Sequence, residues 1–184
     1  GARGTIQGEF VRFENDLGDS ASMTLDAGRK RWMAPSRLID LEDARLRFKV
    51  QSLVQLRASD RSRAQAIYGF VKSLPFVMPL RYGVKTSRQV LHEGAGGWYA
   101  KSTLFVTMLR SAGLAARLRM LVLSGEILRG FINTSQPFLL PVVEVWLDGR
   151  WGRTDTHIVD PDSVAMARER RRHRGWMRGV GVHS

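Results

Sequence analysis

Asp155 and His157, two residues apart in TDTHIVDPD, bring an acid and a base to the spacing that places both on one face of a strand. With Asp160 and Asp162 close behind, the stretch holds the partners of an acid–base step or two ligands of a hard metal. Ligand types at i and i+2 with no third partner do not make a metal site, so no metal or other cofactor is expected. The plainer roles are a buried acid kept by hydrogen bonds for Asp155 and a helix cap for Asp160. The chain has no cysteine, which removes thiolate nucleophiles, cysteine-ligated metals and disulfides together. Its histidines are His92, His157, His173 and His183.

Other residues with chemical reach have weaker settings. Tyr99 and Ser102 follow the glycine-crowded stretch HEGAGGWYAKST at 92–103, but a serine hydroxyl without a neighbouring base is a poor nucleophile. GAGG lacks a Lys-Ser/Thr pair directly after its last glycine, the spacing of a phosphate-cradling loop. Lys101 is expected on a helix surface. Residues 168–174 hold Arg168, Arg170, Arg171, Arg172 and Arg174, a set of guanidinium groups that Glu169 alone cannot pair. They offer bidentate donors to phosphate or to an acidic partner, or simply a solvated face.

Hydrophobic spacing locates the elements that would carry these residues. TIQGEFVRF (5–13) and SMTL (22–25) read as an early strand and its partner. Asp40 is the expected cap of a helix over 40–56, and Asp60 of a second that ends before Pro75. A short helix near 87–92 leads into a third long one from Trp98 to Ala112, closed by Gly113. A strand follows at 115–124. Two apolar runs over 142–156 flank Asp148-Gly149, the signature of a two-residue hairpin turn, with Trp146 and Trp151 as cross-strand packing. Asp160-Pro161 opens a last helix through about residue 173. Helices come first and strands mostly later, so the fold class is α+β.

VLHEGAGGWYAKSTLFVTMLRSAGLAARLRM (90–120) and LPVVEVWLDGRWGRTDTHIVD (140–160) resemble the transglutaminase-like superfamily, the bacterial branch of the papain-like fold, with the register running over 64–160. The resemblance implies helices packed on an antiparallel sheet and a Cys-His-Asp triad. The cysteine stands at a helix N-terminus, the histidine on the next strand, and the acid orients the histidine. By spacing, the cysteine position is Trp98, the histidine position Leu140 and the acid position Asp155. Two of the three are apolar, and no shift by one residue restores a thiol. Trp98 is expected at the front of its helix, with Leu140 on the adjacent strand facing it and Asp155 beyond, paired to a new donor.

Composition sets the remaining bounds. The chain has 184 residues, 43% of them hydrophobic, and 29 basic against 17 acidic residues give a net charge of +12. Arginines number 24 and lysines five, a balance that a GC-rich genome writes without functional demand and that also suits polyanions. The longest apolar run, PFLLPVVEVWL, is too short to span a membrane and holds two prolines and a glutamate. The N-terminus shows no leader pattern. The expectation is one domain over 1–184, with a core at about 60–160, an extension over 1–59 and a basic helix at 161–178. It is expected to be a cytoplasmic pseudoenzyme that binds a protein or peptide. Alternatives are relocated chemistry on a peptide or small amide through Asp155 and His157, or nucleic-acid binding through the basic helix. Some lineages of the family that lack the cysteine do serve as binding or scaffold domains.

Overall fold

Local caps decide where each helix begins. In the computed structural model, which describes residues 29–78 and 85–180, helix α1 (Ala44–Val54) starts behind Asp43, whose carboxylate accepts from Leu46 N at 2.8 Å. Asp40, the expected cap, instead accepts from Glu42 N at 3.1 Å in the preceding turn. Helix α2 (Asp60–Ser73) is capped by Ser59 in a reciprocal box with Ser62, and Asp60 falls one position inside, where its charge suits the helix dipole. Helix α3 (Ser87–Glu93) has the same kind of box from Thr86 and Gln89, and stops at Gly94 in the left-handed region, φ 65°. Helix α4 (Trp98–Ser111) follows directly behind Gly97, which supplies no side-chain cap.

Strands β1 (Ala116–Leu123), β2 (Phe138–Leu147) and β3 (Arg150–Thr154) form an antiparallel sheet in that order, with a short 3-10 helix at Gly125–Leu128 between the first two. Asp148 and Gly149 both take positive φ, 52° and 80°, the geometry of the expected two-residue turn. Trp146 lies opposite Trp151 with ring centroids 5.5 Å apart and nearly perpendicular planes. Helix α5 (Pro161–His173) starts at the Asp160 cap. The strands expected at 5–13 and 22–25, and His183, lie outside the described residues.

Helix α4 is the axis of the core. Leu104, Phe105, Met108 and Leu109 are fully buried against α1, α2 and the β2 residues Val143, Val145 and Leu147. A helix enclosed on nearly every side must satisfy its polar residues internally. Thr107 donates back to Thr103 O at 2.8 Å, and Arg110 donates to Ala116 O at 2.9 Å and Ala34 O at 2.5 Å, its pKa lowered by burial. No helix among the described residues is long and apolar enough to cross a membrane.

Candidate functional site

The turn before α4 is fixed by backbone contacts. Gly96 N donates to Pro75 O at 3.1 Å, and Gly96 O accepts from Val77 N at 3.2 Å. A Cβ on Gly96 would stand 3.1 Å from that of Ala100, so the tight approach favours glycine there. This fold-back delivers Trp98 to the first position of α4, 8% exposed, as the sequence leads one to expect. Its ring lies between Phe76, 6.0 Å away, and Phe138, 5.9 Å away, and Phe76 in turn packs on Phe131 at 5.5 Å. Leu140, 9% exposed, joins the same apolar cluster together with Val142 and Ile158. The indole Nε1 is buried and finds no acceptor among the described residues.

One helical turn deeper, the composition changes. Ser102, four residues after Trp98, has its Oγ 2.9 Å from His157 Nε2, and both residues are fully buried. The imidazole also packs on Phe105, with centroids 4.9 Å apart. Burial, with the nearby charges of Lys101 and Lys72, lowers the His157 pKa to about 3, so the ring is neutral. Nδ1 has no hydrogen-bond partner among the described residues.

Lys101 is fully buried, which corrects the expectation of a surface residue. The spacing explains it: Lys101 sits three and four residues before Leu104 and Phe105, on the stripe that faces the core. Its ammonium donates to Leu74 O at 2.6 Å and Lys72 O at 3.3 Å, closing carbonyls that the end of α2 leaves free. Burial lowers its pKa to about 8, partly opposed by Asp160. Asp160 accepts from Ser163 N at 2.9 Å and from Phe76 N at 2.7 Å. Burial pushes its pKa up, but these donors outweigh it and bring the value to about 2. One carboxylate thus caps α5 and holds the segment that carries Phe76 against Trp98.

Asp155 and His157 are not brought together. Strand β3 ends at Thr154, and the chain then turns. Tyr68 Oη lies 2.7 Å from Thr156 Oγ1, and Lys72 Nζ donates to Thr156 O at 2.7 Å. Alternation is lost at this anchored turn, so Asp155 is exposed while His157 is buried. The expected burial of Asp155 is therefore incorrect: the residue is exposed. Among the described residues no three His, Asp or Glu side chains converge as metal ligands.

The arginines of α5 divide into two groups. Arg170 donates to Gly130 O at 3.3 Å and Arg171 to Trp176 O at 3.0 Å, so both hold backbone in place. Arg168, Arg172 and Arg174 are exposed, as is Arg170 despite its backbone contact, while Arg171 is half-buried. Beside Trp98 a depression of about 300 Å³ is lined by Trp98, Tyr99, Val122, Pro137, Phe138 and Leu139.

Residues 48–156 match the transglutaminase-like superfamily. Among solved structures the chain is similar to a "putative cysteine protease" from Cytophaga hutchinsonii, with a TM-score of 0.59 and 15% identity over 76% of this chain and 46% of that one. It is also similar to a "putative protease" from Parabacteroides distasonis, with a TM-score of 0.46 and 18% identity over 71% of this chain and 25% of that one. The chain spans less than half the length of each. No curated protein matches it.

Proposed function

Because the chain belongs to the transglutaminase-like superfamily, we propose that it is a catalytically inactive member that binds a peptide segment of a partner protein beside the filled cleft. The observation that carries this reading is the burial of Trp98 and Leu140 in one apolar cluster. The resemblance assigns those two positions a thiolate and its base. An indole and an isobutyl group can neither attack an amide nor shuttle a proton, and they fill the volume a substrate would enter. Asp155, the third position, is exposed and hydrogen-bonds to no imidazole among the described residues.

The depression next to Trp98 supports peptide binding. Val122 and Leu139 on its rim are 71% and 49% exposed, a high fraction for aliphatic side chains on paired strands. Strand β1 lies at one end of the described sheet order, where an extended peptide can add main-chain hydrogen bonds while an apolar side chain enters the pocket. A cytoplasmic setting belongs to the same reading. The test is a peptide-display selection, followed by titration of recovered peptides against Val122→Asp/Leu139→Asp. Loss of binding with an unchanged unfolding midpoint supports the reading, and unchanged binding contradicts it.

The exposure of Arg168 and Arg172 on α5 and of Arg174 at its C-cap favours a second reading, a polyanion-binding surface at this end of the helix. Each arginine–phosphate pairing removed by substitution to Gln lowers the slope of log affinity against log salt by about one. Arg170 and Arg171 are left intact in that test because they hold backbone carbonyls.

A further inference from the structure

Away from the cleft, α1 and α3 enclose two adjoining depressions of about 730 and 430 Å³ that share Ala44, Arg45 and Leu91. Helix α1 turns Leu46 and Val50 into the core and leaves Arg45, Phe48 and Lys49 on its outer side, at i, i+3 and i+4. Phe48 is 78% exposed, and Leu91 of α3 supplies more apolar lining. The rim carries Arg45 on one side and Arg88 on the other, while Lys49, beside Arg45, holds its ammonium 4.4 Å from the centroid of the Phe70 ring. Arg45 and Arg88 form no ion pair among the described residues.

The neighbouring carboxylates are already engaged. Asp43 caps α1, Glu42 pairs with Arg47 at 3.5 Å, and Glu93 pairs with Lys85. Asp43 also lines the larger depression, but Arg45 and Arg88 outnumber it, which leaves net positive charge around apolar lining. A nucleic-acid backbone would use the charge and leave Phe48 unsatisfied, and a purely apolar segment would strand the guanidinium groups.

We propose that this groove docks an acidic amphipathic helix of a partner protein, with apolar side chains on Phe48 and Leu91 and carboxylates on Arg45 and Arg88. One turn of such a helix presents Leu or Phe at i and i+3 or i+4, flanked by Asp or Glu, which is the helix-in-groove mode. The surface is separate from the cleft and stands or falls independently of it.

The test is a random-peptide display selection on the intact protein, with counter-selection against Phe48→Ser/Arg45→Glu/Arg88→Glu. Recovered peptides are synthesised and titrated by fluorescence anisotropy. The expected peptides are acidic with an apolar i, i+3/i+4 pair. Arg45→Glu/Arg88→Glu weakens them at least tenfold, as does Phe48→Ser alone, and Val122→Asp leaves them unchanged. These residues are exposed, so the unfolding midpoints of the variants stay at the wild-type value. Peptides without acidic bias, affinity insensitive to the groove substitutions, or equal binding of a composition-matched scrambled peptide would each overturn the proposal. So would groove-dependent binding of phosphatidylserine vesicles or duplex DNA with no acidic peptide recovered.

Discussion

Ser102 and His157 share a 2.9 Å hydrogen bond one helical turn beneath Trp98, in a place water does not reach. The distance is that of a nucleophile and its base, but the surroundings reverse the roles. Ser102 Oγ also lies 3.5 Å from Pro141 O. If His157 Nε2–H donates to Oγ and the hydroxyl donates on to Pro141 O, every proton in the chain is used, and the unpartnered Nδ1 is only a bare acceptor. The opposite tautomer would bury an unsatisfied N–H, which costs about 1–3 kcal/mol. A histidine whose pKa is about 3 is also a weak base near neutrality. The pair holds α4 to the chain beyond β3.

Trp98 is a packing residue, and its removal should be expensive. Trp98→Ala is expected to destabilise the protein by about 3–5 kcal/mol, through lost burial and the cavity left between Phe76 and Phe138. Trp98→Phe should cost much less, because an aromatic ring stays and the unpartnered indole N–H goes. Urea midpoints at constant m-value measure both, and a Trp98→Ala loss below about 1 kcal/mol would mean that the indole fills nothing.

His157 makes stability depend on pH. The unfolded chain takes up a proton on this ring below about 6.5, whereas the folded chain holds it neutral down to about 3. The unfolded state therefore binds more protons in this window, and stability, complete above 6.5, falls as pH drops, by up to about 1.4 kcal/mol per pH unit. Asp160, held at about 2 against an ordinary 3.8, adds its own loss only at lower pH. Unfolding midpoints between about pH 4.5 and 6.5 isolate the histidine, and His157→Leu should flatten the slope there.

Lys101 acts in the alkaline range with the same sign. Its pKa is about 8 when folded and 10.5 when free, so between those values the unfolded chain holds the extra proton and stability rises with pH. Lys101→Met should remove that rise. It also leaves Leu74 O and Lys72 O without their donor, which slackens the end of α2. A rise that survives in the variant would assign it to another group.

Asp160→Ala removes the α5 cap and the acceptor for Phe76 N, and should lower stability by at least the ~1 kcal/mol of a lost cap. Asp160→Asn keeps an oxygen acceptor and should lose less. Equal losses in the two variants would contradict a role carried by hydrogen bonding.

Much of this arrangement is legible in the chain because it follows from local rules. The hairpin at Asp148-Gly149, the Pro161 start of α5 and the position of Trp98 at the head of α4 each depend on a few neighbouring residues. Errors arise where neighbours compete or tertiary contacts decide. Asp40 and Asp43 both suit a cap, and the Leu46 amide reaches only the second. Asp155 and His157 part because Thr156 is held from α2 by Tyr68 and Lys72, residues 88 and 84 positions away in sequence. The burial of Lys101 and Ser102 is implicit in the α4 stripe, since both lie at i−3 or i−4 from apolar core residues. Their polar character hides it.

Turnover of amides by the purified protein tests catalytic inactivity most directly. Ammonia release from glutamine peptides, amine incorporation and peptide cleavage should all stay at the no-enzyme background, and Ser102→Ala should be indistinguishable from the wild type. Turnover above background that Ser102→Ala abolishes, with folding intact by unfolding midpoint, would contradict the sealed-cleft reading and make Ser102 and His157 a working pair.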